Sequence, residues 1–210
     1  MAYRCVATSV AGFVQQLAVT YVGNGYWFYV AGRVPAHKDP AATDRKLIAR
    51  YDIEVSKWIR ARRKKQGFAN VQYLRYHRFF VVLATHGEHP FFAAEAKQIR
   101  DFRRQPLHFR GYSIGCRKGK EGQRWHPSVR IERASFRALR VRFAALAAHC
   151  SVEELGRELR AIGVERYAPV RDQLRILRRA VNRRRKAAGL ELVPREAVWL
   201  RRRPVKPFGE

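Results

Sequence analysis

The segment THGEHPFF sets His86 and His89 on either side of Glu88, a grouping with the donors to ligate a metal or relay a proton. Its spacing is not that of a helical zinc site. The chain has no CxxC pair, and Cys116 and His126 could join as ligands only if the fold brought them there. A two-metal nuclease would have to draw its carboxylates from Asp39, Asp44, Asp52, Glu54, Glu88, Glu95 and Asp101, whose spacings are not diagnostic. Walker, dinucleotide-binding and Ser-His-Asp signatures are missing. No catalytic residue, metal or cofactor is therefore assigned, and the chain reads as a binding protein before an enzyme. Cys5, Cys116 and Cys150 are odd in number and widely spaced, which argues against a disulfide framework and for a reducing compartment, the cytoplasm.

Charge carries more information than any of these groups. The 210 residues hold 44 Lys and Arg against 17 Asp and Glu, a formal net charge of +27. Both halves are cationic, and at 47% hydrophobic residues the chain has enough apolar content to fold and present that charge on a solid surface. Self-repulsion of this size calls for a polyanionic partner. The densest run, KWIRARRKK, supplies Lys57, Arg60, Arg62, Arg63, Lys64 and Lys65, with Trp58 and Ile59 expected to face inward and only Glu54 near enough to pair. A second cluster holds Arg175, Arg178, Arg179, Arg183, Arg184, Arg185 and Lys186, followed by Arg201, Arg202, Arg203 and Lys206. Arg110, Arg117, Lys118 and Lys120 add a basic, glycine-containing loop. Arginine's planar fork suits phosphate and base alike. The competing reading is that these runs are solvated faces complementing helix dipoles.

Aromatic residues crowd two strand-like segments. Tyr26, Trp27, Phe28 and Tyr29 in one and Tyr76 in the other are candidate stacking platforms for unpaired bases, set against the commoner fate of such rings as core. On alternation Tyr26 and Phe28 share one face, Trp27 and Tyr29 the other. The strings YVGN (Tyr21 to Asn24) and RGY (Arg110 to Tyr112) resemble fragments of the RNA-recognition motif's two signatures. Ser113, Ile114 and Gly115 break the second signature's aromatic alternation, so no module is assigned on these strings. Over residues 13 to 118 the element order also resembles small transposases and replication initiators that cut single strands with a tyrosine. Their His-hydrophobic-His triplet is not in YHRFFVVL, where His77 stands alone, and the resemblance therefore implies binding without the cut.

These residues need elements to hold them. Residues 13 to 34 read as two strands around Gly23 to Gly25, and Asp44 opens a helix carried by Leu47, Ile48, Tyr51, Val55, Trp58 and Ile59 to a stop at Gly67. A strand pair follows over 71 to 87, bending at Tyr76 to Arg78 with its second half central. Residues 92 to 104 read as a short helix ended by Pro106, and 107 to 119 as one strand. Residues 134 to 149 form a helix. Ser151 and Glu154 make a capping box for the next, and Pro169 starts a long helix with inner face Val170, Leu174, Leu177 and Val181 and a stop at Gly189.

The expected fold is α+β, an antiparallel sheet of about five strands with helices on one face in a ferredoxin-like or RNA-recognition-motif-like arrangement. Residues 1 to 131 form the core domain, 132 to 190 a helical region and 191 to 210 an extended basic tail. The N-terminus lacks a signal peptide's pattern, and no window reaches the ~18 to 20 apolar residues of a membrane span. The function expected is nucleic-acid binding, with structured or single-stranded RNA favoured over DNA and held through the Arg/Lys clusters and aromatic strands, in a ribonucleoprotein. The alternatives are a DNA-binding regulator or mobile-element protein, with a helix-turn-helix hidden in 151 to 188, and a nuclease or transposase acting on single strands.

Overall fold

The computed structural model describes residues 3–119, 122, 124–198 and 204–209. The fold is α+β with two antiparallel sheets, of four and three strands. The chain divides into two compact units. Unit 1 comprises Met1–Leu107, Gly115–Pro127 and Pro204–Glu210, and unit 2 comprises His108–Ile114 and Ser128–Arg203.

Of the two strands expected over residues 13 to 34, the first is helical and the second is present. Ser9 caps α1 (Val10–Gln15) by accepting from the Gly12 N–H, and the chain continues as a π-helical turn, Gln16–Tyr21, and a 3-10 turn, Val22–Asn24. Phe13, Val14, Leu17, Ala18, Tyr21 and Val22 are all buried. Their spacing of one and four residues is a helical stripe, which burial favours over the strand propensity of the individual residues. Gly25 (φ 91°) closes the segment in the left-handed region, and β1 (Phe28–Arg33) follows. The expected long helix is instead two. Asp39 caps α2 (Pro40–Arg50), the chain turns at Asp52 (φ 45°), and Ser56 caps α3 (Lys57–Lys65).

β2 (Val71–Tyr76) and β3 (Phe79–Ala84) form the expected hairpin, bent at His77 (φ 51°). Residues 92 to 104 hold the end of α4 (Pro90–Ala94), a turn and β4 (Arg100–Asp101) in place of one helix. The sheet order is β2-β3-β1-β4, each pair antiparallel, with β3 internal. Both faces are covered. Tyr73, Val82 and Ala84 join a core with Tyr51, Ile53 and Phe91, while on the opposite side Phe13 packs against Tyr76 and Phe79 at 6.4 and 5.9 Å.

A buried ion pair locks this unit. Arg75 donates to both Asp44 carboxylate oxygens at 2.7 Å, and the Tyr73 hydroxyl donates to Asp44 at 2.6 Å. The described end of the tail is also held. The Gln15 side chain brackets Val205, donating to its carbonyl at 2.7 Å and accepting from its N–H at 3.1 Å, and the Thr8 N–H donates to the Pro207 carbonyl.

The expected single strand over 107 to 119 is a hairpin, β5 (Leu107–Phe109) and β6 (Tyr112–Lys118), with positive φ at Arg110 and Gly111 as a type I′ turn requires. β7 (Trp125–Ile131) completes the second sheet, ordered β5-β6-β7. In unit 2, α5 (Arg133–Leu146), α6 (Val152–Ala161) with its capping box, and α7 (Ala168–Ala187) follow the sequence expectation closely. Val170, Leu174, Leu177 and Val181 lie in one core with Phe143, Leu155, Leu159 and Val193. Gln173 brackets Ile131 and Asn182 brackets Val193 through paired amide hydrogen bonds of 2.8 to 3.0 Å. Ala197 and Val198 are buried too, so this part of the tail is packed and not free. Residues 162 to 167 separate α6 from α7, longer than the ~3 to 4-residue turn of a helix-turn-helix. Among the described residues no helix is long and apolar enough to cross a membrane.

Candidate nucleic-acid interface

In α3 no side chain is buried. Lys57, Arg62, Lys64 and Lys65 are exposed and Arg60 is half-buried. Trp58 and Ile59, expected inside, are 74% and 45% exposed, because the break at Asp52 releases α3 from the hydrophobic phase of α2. Arg63 is tied down. It forms an ion pair with Asp52, where Glu54 was the expected partner, and donates to the Asp52 carbonyl at 3.2 Å. The Asn70 amide donates to the Arg60 carbonyl at 3.0 Å and anchors the helix from beneath. A cleft of about 560 Å³ opens beside it, lined by Arg62, Ile59 and Phe68 with Asp52, Glu88 and His89.

The strand aromatics are committed elsewhere. Tyr29 is fully buried, stacks on Phe102 at 4.1 Å and donates to the Gln105 carbonyl, and Tyr26 is buried beside Tyr21. Phe28 packs edge-on against Phe92, and Tyr76 against Phe13 and His77. Trp27 is half-buried under the Arg103 guanidinium, 4.6 Å from its ring centre. Neither alternating pair is therefore a free platform. Tyr21 to Asn24 is helical, which removes the strand that the YVGN resemblance requires. Arg117 and Lys118 are exposed, with the Lys118 ammonium over the Trp125 ring. Lys120, Arg201, Arg202 and Arg203 lie outside the described residues.

In unit 2 the second cluster divides by role. Arg185 is 4% exposed and donates to the carbonyls of Ala147 (2.9 Å), Cys150 (2.7 Å) and Glu191, so its charge is spent on the fold. Arg178 donates to the Val193 carbonyl at 2.7 Å, and burial lowers its pKa. Arg175 pairs with Asp172. Arg179, Arg183 and Lys186 are exposed, as is Arg184, which reaches the Ala144 carbonyl at 3.4 Å. Across a groove of about 480 Å³, α5 faces Arg183 and Arg184 with Arg137 and Arg140 over a floor that includes the buried Phe143 and Leu177. The α5 arginines were missed from sequence. Their signal was there, since Arg133, Arg137 and Arg140 recur at helical spacing. Arg110 is exposed at its hairpin turn.

Several residues of catalytic type have structural duties. His89 Nδ1 accepts from the Phe91 N–H at 3.0 Å as the cap of α4, and burial lowers its pKa. Gly87 lets its backbone pass that of Gly67 and Ala69, where a Cβ would meet the Gly67 carbonyl at 2.5 Å. Asp39 caps α2, Asp44 holds Arg75, Asp101 holds Arg103, and Glu95 accepts from the Tyr51 hydroxyl. Burial pushes the Cys5 thiol up to about 11 and that of Cys116 up to about 12, so both stay protonated at neutral pH. Among the described residues, no three His, Cys, Asp or Glu side chains gather to hold a metal. Comparison with protein-family models, curated proteins and solved structures found no match.

Proposed function

We propose that this chain is a non-enzymatic nucleic-acid-binding protein with RNA favoured over DNA, acting as a component of a ribonucleoprotein. The observation that carries the reading is α3, where four cations, Lys57, Arg62, Lys64 and Lys65, and a tryptophan stand exposed on a helix with no fully buried side chain. Helix-dipole complementarity accounts for one or two cations near a C-terminus, not for a whole circumference. The groove between α5 and α7, rimmed by four arginines, supplies a second surface of the same chemistry.

The succession β1, α2 and α3, β2, β3, α4, β4 has the β-α-β-β-α-β pattern of ferredoxin-like folds, the class to which RNA-recognition motifs belong, and we read unit 1 in that way. The sheet face such modules offer to RNA is filled here by Phe13 and its neighbours, which moves the contact to the helices. Purification under gentle salt followed by sequencing of the nuclease-sensitive material tests the proposal. RNA should be recovered. A preparation free of nucleic acid that also fails to shift added RNA or DNA overturns it. The same protein should leave RNA and single-stranded DNA intact with Mg²⁺ or Mn²⁺, and cleavage lost in His77→Ala would restore the nuclease alternative.

A further inference from the structure

Trp58 is the most exposed large hydrophobic side chain among the described residues, and it sits within the densest cationic run of the chain. The Lys57 ammonium lies over its ring at 5.0 Å from the centre, and the 74% exposure leaves most of the remaining indole surface to solvent. Along α3, residues four and seven positions on share its face, so Arg62 and Lys65 follow the ring at about 6 and 10 Å along the axis. Both are exposed. Ile59 and Phe68 extend the uncovered apolar surface on the cleft side.

A ring followed in one row by cations is the arrangement that takes an unpaired base on the ring and its backbone phosphates on the charges. We propose that Trp58 is a base-stacking platform and that α3 therefore selects single-stranded RNA over duplex. This rests on the nucleic-acid reading above and adds to it the state of the strand. Three features make the platform firm. Ser56 caps the helix, Arg63 is paired to Asp52, and Asn70 holds the Arg60 carbonyl, so a base meets a ring carried on an anchored helix and not on a fraying one. An anionic membrane surface fits less well. An interfacial helix needs a continuous apolar face, whereas Trp58 shares its row with Ala61, Arg62 and Lys65.

The test uses the full chain with Trp58→Ala and Trp58→Phe variants against three probes: a short oligouridine RNA, an RNA duplex of equal length, and phosphatidylserine vesicles. The wild-type protein should bind oligouridine with quenching of tryptophan emission. Trp58→Ala should lose about 5- to 150-fold in affinity for oligouridine, and duplex binding should change less than about twofold. Trp58→Phe should keep most of the affinity and lose the quenching signal that Trp58 contributes. Equal affinity of Trp58→Ala and wild type for oligouridine, or equal losses on both RNAs, would overturn the stacking assignment and leave nucleic-acid binding standing. Vesicle binding that depends on Trp58 while oligouridine binding does not would overturn it in favour of the membrane. Failure of the wild type to bind either RNA would instead remove the reading on which the inference rests.

Discussion

His89 and Asp44 show how residues of catalytic type became structural ones. The neutral Nδ1 of His89 caps α4, and burial, reinforced by the Arg63 charge, lowers its pKa. The unfolded chain takes up that proton near the ordinary value of about 6.5, the folded chain only at lower pH. The stabilisation is therefore complete above the unfolded value and is lost as pH falls through the folded one. Thermal midpoints should drop on acidification, and His89→Asn, which keeps a capping acceptor without the titration, should flatten that dependence. Parallel profiles for the two proteins would refute the role. Asp44 is the only carboxylate bonded to the buried Arg75 guanidinium among the described residues. Asp44→Asn should cost about 3 to 5 kcal/mol in urea unfolding, since it leaves a buried cation without its charge partner. A loss below about 1 kcal/mol would mean that the pair is not the lock described.

At the scale of elements, legibility followed how many independent signals agreed. For α6 and α7 the caps, the proline, the apolar period and the stop all point the same way, and sequence locates both helices and the inner face of α7. The β2-β3 hairpin was legible from its two aromatic runs and short bend. Residues 13 to 22 were not, because β-branched and aromatic composition spoke for strands while the one-and-four spacing spoke for a helix. The break between α2 and α3 was hidden because the turn is made by Asp52 at positive φ, with neither Gly nor Pro to announce it. That miss reversed the facing of Trp58 and concealed the site.

The same division of roles predicts the variants. Arg62→Glu, Lys64→Glu and Lys65→Glu together should weaken RNA binding more than tenfold with unchanged circular dichroism, because α3 buries nothing. Binding that survives the triple change would reduce α3 to a solvated face. Arg185→Ala should instead destabilise the protein by about 2 to 3 kcal/mol, three carbonyls losing their donor, whereas Arg183→Glu should leave the melting temperature in place and lower affinity. Equal thermal midpoints for Arg185→Ala and wild type would sink the assignment of Arg185 to the fold.

At the scale of the molecule the governing quantity is the net charge of +27. Ion pairs and carbonyl contacts absorb Arg63, Arg75, Arg103, Arg178 and Arg185, but the exposed cations of α3, α5 and α7 remain a large uncompensated field. Such a field stabilises any complex that neutralises it, and releases counterions from the polyanion in doing so. The most direct measurement is the affinity for RNA as a function of salt concentration. With several phosphates neutralised and roughly 0.7 to 0.9 of slope per phosphate, log K against log salt should fall more steeply than about −4. A flat dependence would contradict the claim that this protein is built to hold a polyanion.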